Sequence, residues 1–235
     1  MDLIKYQMSH ILLSIFLSPI LNYVPEIFYG VLLILGALKY YLHFRRGDLE
    51  GTKTAKFFGK LVVLAIGFKV LYAAFLTWGQ YLLWKAGGLS SVLLTEPLRK
   101  IPADFANSMP WLFNVKGGYF SFYSFNHFWL EVLITLVLSF AFYFILVSLK
   151  KKNPRFLTMA DARLGLLGGI AAGWPGFVVF FVLFLLFFLA LGLYRQFVLK
   201  EEYTPVTDPL FAAAFIAAAF GFWFVNVLGL SILKA

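Results

Sequence analysis

The sequence predicts an all-α polytopic membrane protein: a bundle of about six transmembrane helices plus an N-terminal interfacial or extra helix. Three observations carry that expectation. The 235 residues are 62% Ala, Val, Ile, Leu, Met, Phe, Trp, Tyr or Cys and only 13% charged, whereas a soluble domain is about 25% charged. Long runs lack Asp, Glu, Lys and Arg altogether, and the basic residues gather between those runs. Each run approaches the ~20 residues that a helix needs to cross a ~30 Å hydrocarbon core. A soluble fold of this size could not hide so much apolar side chain, so an ordinary soluble enzyme and a disordered or fibrous chain are excluded.

The elements follow in order. Residues 1–22 contain an uncharged stretch from Tyr6 that Pro19 interrupts and Pro25 closes. It reads as a shallow or re-entrant helix over 3–20, or as an extra span. The first full span is 23–44, apolar apart from Glu26 and Lys39. Phe57–Trp84 is the second, with Lys60 placed to snorkel and Lys69 deep enough to need a partner or a polar cavity. The connection 85–127 is rich in Gly, Pro and aromatic residues and reads as an interfacial lid or a contact surface. Val132–Leu149 is the third span. Leu164–Tyr194 is cut by Gly173-Trp174-Pro175-Gly176, strong turn chemistry, which gives two helices, 160–174 and 176–197, joined by a tight hairpin. Pro209–Leu233 is the last. Ala213, Ala217 and Gly221 share one of its faces and favour close helix approach.

Charge sets the orientation. Lys39, Arg45, Arg46, Lys53, Lys56 and Lys60 fall in one connection; Lys150, Lys151, Lys152, Arg155 and Arg163 fall in a second; Arg195 and Lys200 fall in a third. Alternating spans put all three on one side, which the positive-inside rule makes cytoplasmic. The net charge of +9 thus fits topology and anionic headgroups rather than nucleic acid. There are no Cys residues, which removes disulfides, thiolate metal sites and Cys nucleophiles. His10, His43 and His127 lack ligand spacing. No metal or cofactor is expected. His127 and Glu131, four apart on one helix face, read as an interface hydrogen bond.

Ionisable residues at membrane depth are the functional candidates. Asp161 stands out, placed where a basic linker meets an apolar helix containing Gly165, Gly168 and Gly169. By itself it also reads as a helix N-terminal carboxylate stabilised by the helix dipole. A polar path through Lys69, Glu131 and Asp208 would instead suit a small transporter.

Residues 128–230 resemble the C-terminal part of the prepilin and preflagellin peptidases, a GxGD-type family of intramembrane aspartyl proteases. The resemblance rests on the helix Val132–Leu149, the basic linker Lys150–Arg155, and Thr158-Met159-Ala160-Asp161-Ala162-Arg163-Leu164 at the aspartate motif. Gly168, Gly169, Gly173 and Trp174 follow at matching distances, and Thr207-Asp208-Pro209 lies where the family opens its last helix. Thr158 and Ala160 replace the two motif glycines, and Arg163 replaces a Lys.

The resemblance implies a peptidase in the prokaryotic plasma membrane that cleaves leaders of type IV pilin-like precursors at the cytoplasmic face. Asp161 and a second aspartate would share a proton to activate water. Asp48, in Asp48-Leu49-Glu50-Gly51, fits that second position and equally fits a solvated loop. A different alignment, through Asn22-Tyr23-Val24-Pro25, puts Ser18 there and implies an inactive relative. Arg163, Glu201 and Glu202 would contact the basic, leader-bearing substrate. The alternative is a catalytically inactive scaffold subunit of a pilus or secretion complex.

Overall fold

A computed structural model describes residues 20–44, 52–97, 115–152, 157–200 and 205–233. The described elements are α1 (Ile20–Phe44), α2 (Thr52–Ala86), α3 (Gly88–Leu93), α4 (Gly118–Ser124), α5 (Leu130–Lys152), α6 (Met159–Ala172), α7 (Gly176–Tyr194) and α8 (Thr207–Val227). Short π-helical stretches at Phe125–Trp129 and Arg195–Leu199 join α4 to α5 and extend α7, and a 3-10 turn covers Leu230–Leu233. No strand occurs among the described residues.

Five helical stretches are long and apolar enough to cross a membrane: Tyr23–Leu42, Lys53–Ala86, Gly118–Lys152, Gly176–Leu199 and Thr207–Val227. The chain is therefore an all-α polytopic membrane protein. The 3–20 segment lies outside the described residues. The helix expected at 160–174 forms, yet as a span it falls short. α6 has 14 residues, a length of ~21 Å against a hydrocarbon core of ~30 Å. The cause is local. Thr158 caps its start, and Gly173, at φ 64°, turns the chain out of the helix.

The hairpin that follows sits at the expected residues. The Trp174–Pro175 peptide is cis, and the Trp174 N–H donates to Thr135 Oγ1 at 2.9 Å. The 85–127 connection is shorter than the sequence suggests, because the helix leading into α5 already begins at Gly118. Gly117 takes a left-handed φ of 83° just before it, a conformation that glycine adopts without a Cβ penalty. Residues 98–114 of that connection lie outside the described residues.

The chain divides into two compact units, residues 1–24 with 70–131 and 235, and residues 25–69 with 132–234. In the first, Trp84 packs against Tyr119, Phe120 and Tyr123 with ring centroids 6.0, 5.3 and 4.9 Å away. The Trp129 indole N–H donates to Thr77 Oγ1 at 3.0 Å, and the Tyr72 hydroxyl donates to the Leu21 carbonyl at 2.8 Å. That carbonyl lies four residues before Pro25, whose missing N–H leaves it without an intrahelical donor. Tyr72 supplies the replacement, as a hydrocarbon solvent demands of every backbone polar group.

The second unit is built around α6. Ten of its 14 residues are buried. Its glycines set the spacing. A Cβ at Gly165 would stand 2.6 Å from Leu146, one at Gly168 would stand 2.9 Å from Phe180 and 3.0 Å from Ala214, and one at Gly169 would stand 2.7 Å from the Ser139 hydroxyl. So α5, α7 and α8 all close onto α6 where side chains are missing, the small-residue packing that membrane helices use in place of a hydrophobic driving force. Ala213, Ala217 and Gly221 are buried on α8. On the α1 and α2 side of this unit, Phe28 stacks on Phe68 at 3.9 Å.

Candidate functional site

Asp161 is the third helical residue of α6 and is 3% exposed. Its position follows from the run Thr158-x-x-Asp161. The backbone of Thr158 is extended at φ −94° and ψ 166°, and its hydroxyl accepts the Asp161 N–H at 3.2 Å. In return Asp161 Oδ2 accepts the Thr158 N–H and the Thr158 hydroxyl, each at 2.7 Å. This is a capping box, in which the residues at the N-cap and third helical positions satisfy each other's free amides. The carboxylate also sits at the positive end of the helix dipole.

The other oxygen is held from a different helix. Thr207, the first residue of α8 and also buried, donates its hydroxyl to Asp161 Oδ1. Asp161 thus accepts three hydrogen bonds from two threonines. The Tyr40 hydroxyl on α1 hydrogen-bonds with Thr207 and lies in the electrostatic field of Asp161, Asp208 and Arg195. Asp208 is half-exposed and pairs with Arg195 at 3.7 Å. The order of groups inward from α1 is therefore phenol, hydroxyl, carboxylate.

Arg163 is half-buried, and its guanidinium donates to the Ala55 carbonyl in the first turns of α2. Gly59 makes the room, since a Cβ there would stand 3.1 Å from Arg163 Nη1. The side chain that the resemblance assigns to substrate therefore fastens α6 to α2. Asp48, Glu201 and Glu202 lie outside the described residues. His127 hydrogen-bonds through Nδ1 with the Tyr123 carbonyl at 3.1 Å and stacks on the Tyr123 ring. No group of three His, Asp or Glu side chains gathers as a metal site among the described residues.

The geometry does two things chemically. Three donors hold the Asp161 carboxylate in one orientation, and burial separates it from bulk water. Thr207 and Tyr40 were not legible as site residues. The Thr-x-x-Asp pattern ahead of an apolar run does carry the capping signal, but a single threonine at the start of another helix announces no partner.

Comparison with known proteins finds no matching family model, no matching curated protein and no matching solved structure.

Proposed function

We propose that this chain is a non-enzymatic scaffold subunit of a membrane-embedded complex, in which Asp161 fastens helices together instead of activating water. The carrying observation is the hold of Thr158 and Thr207 on the buried Asp161 carboxylate, both of whose oxygens accept hydrogen bonds. A carboxylate acting as general base must accept a proton from water within hydrogen-bond reach; here both oxygens already accept donors from the protein, and burial keeps bulk water away. The replacement of both motif glycines points the same way. Thr158 supplies a cap that glycine could not supply through a side chain. The resemblance to prepilin peptidases gives the kind of complex: a type IV pilus or secretion assembly in a prokaryotic plasma membrane, with the basic connections facing the cytoplasm.

The test is co-expression with a type IV pilin-like precursor. The expected result is an unprocessed precursor with the wild-type chain and with Asp161→Asn alike, and recovery of pilus or secretion subunits with the detergent-solubilised chain. Cleavage by the wild type that Asp161→Asn abolishes would overturn this reading. It would favour the peptidase reading, in which Asp48 is the candidate second carboxylate and Arg163, Glu201 and Glu202 the candidate leader contacts.

A further inference from the structure

Many of the described basic side chains of the second unit gather at one end. Arg163, near the start of α6, reaches the Ala55 carbonyl near the start of α2, and Leu146 of α5 packs against Gly165 of α6. The first turns of α2 and α6 and the last turns of α5 therefore share one level. Lys53, Lys56 and Lys60 are exposed on α2 there, and Lys151 and Lys152 are exposed at the end of α5 beside half-buried Lys150.

A shallow, open groove formed by side chains of α5 alone runs up to this basic level along its outer face. Phe144, Ile145, Ser148, Leu149 and Lys152 line a volume of about 290 Å³. Their spacing keeps all five on one helical face, and Phe144 to Lys152 spans ~12 Å. Phe144, Ile145 and Leu149 are 61%, 56% and 47% exposed, so the groove opens to the surrounding solvent, which for this helix is lipid. Its order is apolar, then hydroxyl, then ammonium.

We propose that this groove binds one anionic phospholipid, its acyl chain along Phe144, Ile145 and Leu149 and its phosphate on Lys152. The hydroxyl of Ser148 stands between them, one helical turn before Lys152. Charge complementarity selects the headgroup. A helix C-terminus repels an anion, yet Lys150, Lys151 and Lys152 reverse that field at this point. A zwitterionic headgroup gains little from three adjacent ammonium groups, whereas an anionic one gains with each lysine close to the surface.

The full-length protein in neutral detergent, titrated with dioleoyl phosphatidylglycerol or dioleoyl phosphatidylcholine and read by native mass spectrometry, tests the proposal. Phosphatidylglycerol is expected to be retained at least about fivefold better, and Lys152→Gln to remove about fivefold of that retention. Ser148→Trp fills the groove without changing charge and should lower retention as well. Lys60→Gln, the same charge change on α2, should leave it unchanged. Equal retention of the two lipids would overturn the proposal. So would equal losses from Lys60→Gln and Lys152→Gln, which would mean a diffuse field. Release of phosphatidylglycerol by inorganic phosphate would also overturn it, since the site would then hold an anion and no lipid tail.

Discussion

The hydroxyl of Thr207, on the first residue of α8, donates to the carboxylate of Asp161, on the first turn of α6. One bond ties the beginnings of two helices together in a buried setting. Hydrogen bonds to charged groups contribute about 1.5–3 kcal/mol. Thr207→Val should therefore lower stability by about 2 kcal/mol, seen as a fall in Tm of the detergent-solubilised protein. Thr207→Ser, which keeps the donor, should restore most of the loss. Equal Tm values for the Val and Ser variants would show that the hydroxyl contributes nothing.

The other half of the site makes a separate prediction. Thr158→Ala removes a helix cap and one donor to Asp161 while leaving the backbone donor in place. The cost should be about 0.5–2 kcal/mol. Hydrogen exchange is the sharper measurement. The amide of Asp161, which donates to the Thr158 hydroxyl, should lose protection, while amides in the middle of α6 keep theirs.

Gly168 and Gly67 give opposite expectations for the same substitution. Ala at Gly168 would press on Phe180 and Ala214, both near 3 Å from the new carbon. Overpacking of this kind costs about 1–3 kcal/mol. Gly67 has nothing within 4 Å of such a carbon, so Gly67→Ala should be neutral or stabilising by up to about 1 kcal/mol through helix propensity. Thermal unfolding of the two variants side by side checks the pair.

Tyr72→Phe deletes the donor to the Leu21 carbonyl and leaves that acceptor unsatisfied. A buried unsatisfied group costs about 1–3 kcal/mol. Replacing Pro25 with Ala in the same chain returns an N–H to α1, so the double variant should regain most of what Tyr72→Phe loses. Additive losses in the double variant would separate Tyr72 from the proline.

Much of the fold was legible because lipid is an undemanding reader of sequence. Long, mostly uncharged apolar runs gave the five described spans, and Pro-Gly chemistry placed the turn between α6 and α7. The reading of α6 as a full span fails for a physical reason. Hydropathy records only that 160–174 is apolar; it does not separate a helix facing lipid from one surrounded by other helices. The clue lay in Gly165, Gly168 and Gly169, which serve as contact surface for α5, α7 and α8. The site was half legible. Asp161 stood out as a charge in an apolar context, and its reading as a helix N-terminal carboxylate holds in the structure. Thr207 and Tyr40 carry no charge, and their meeting with Asp161 depends on packing across distant parts of the chain. The bond from Arg163 to Ala55 is long-range too, so no local pattern announces it.

The shortness of α6 bears on how the protein is made. A segment of 14 residues is too brief to be held in the bilayer alone during synthesis, and nearly all its surface needs neighbours. Its shortness favours entry together with α7 as one hairpin, the 19 residues of α7 supplying the hydrophobic pull for both. Lengthening the Gly173–Gly176 turn would uncouple that joint insertion and leave α6 stranded at the headgroups.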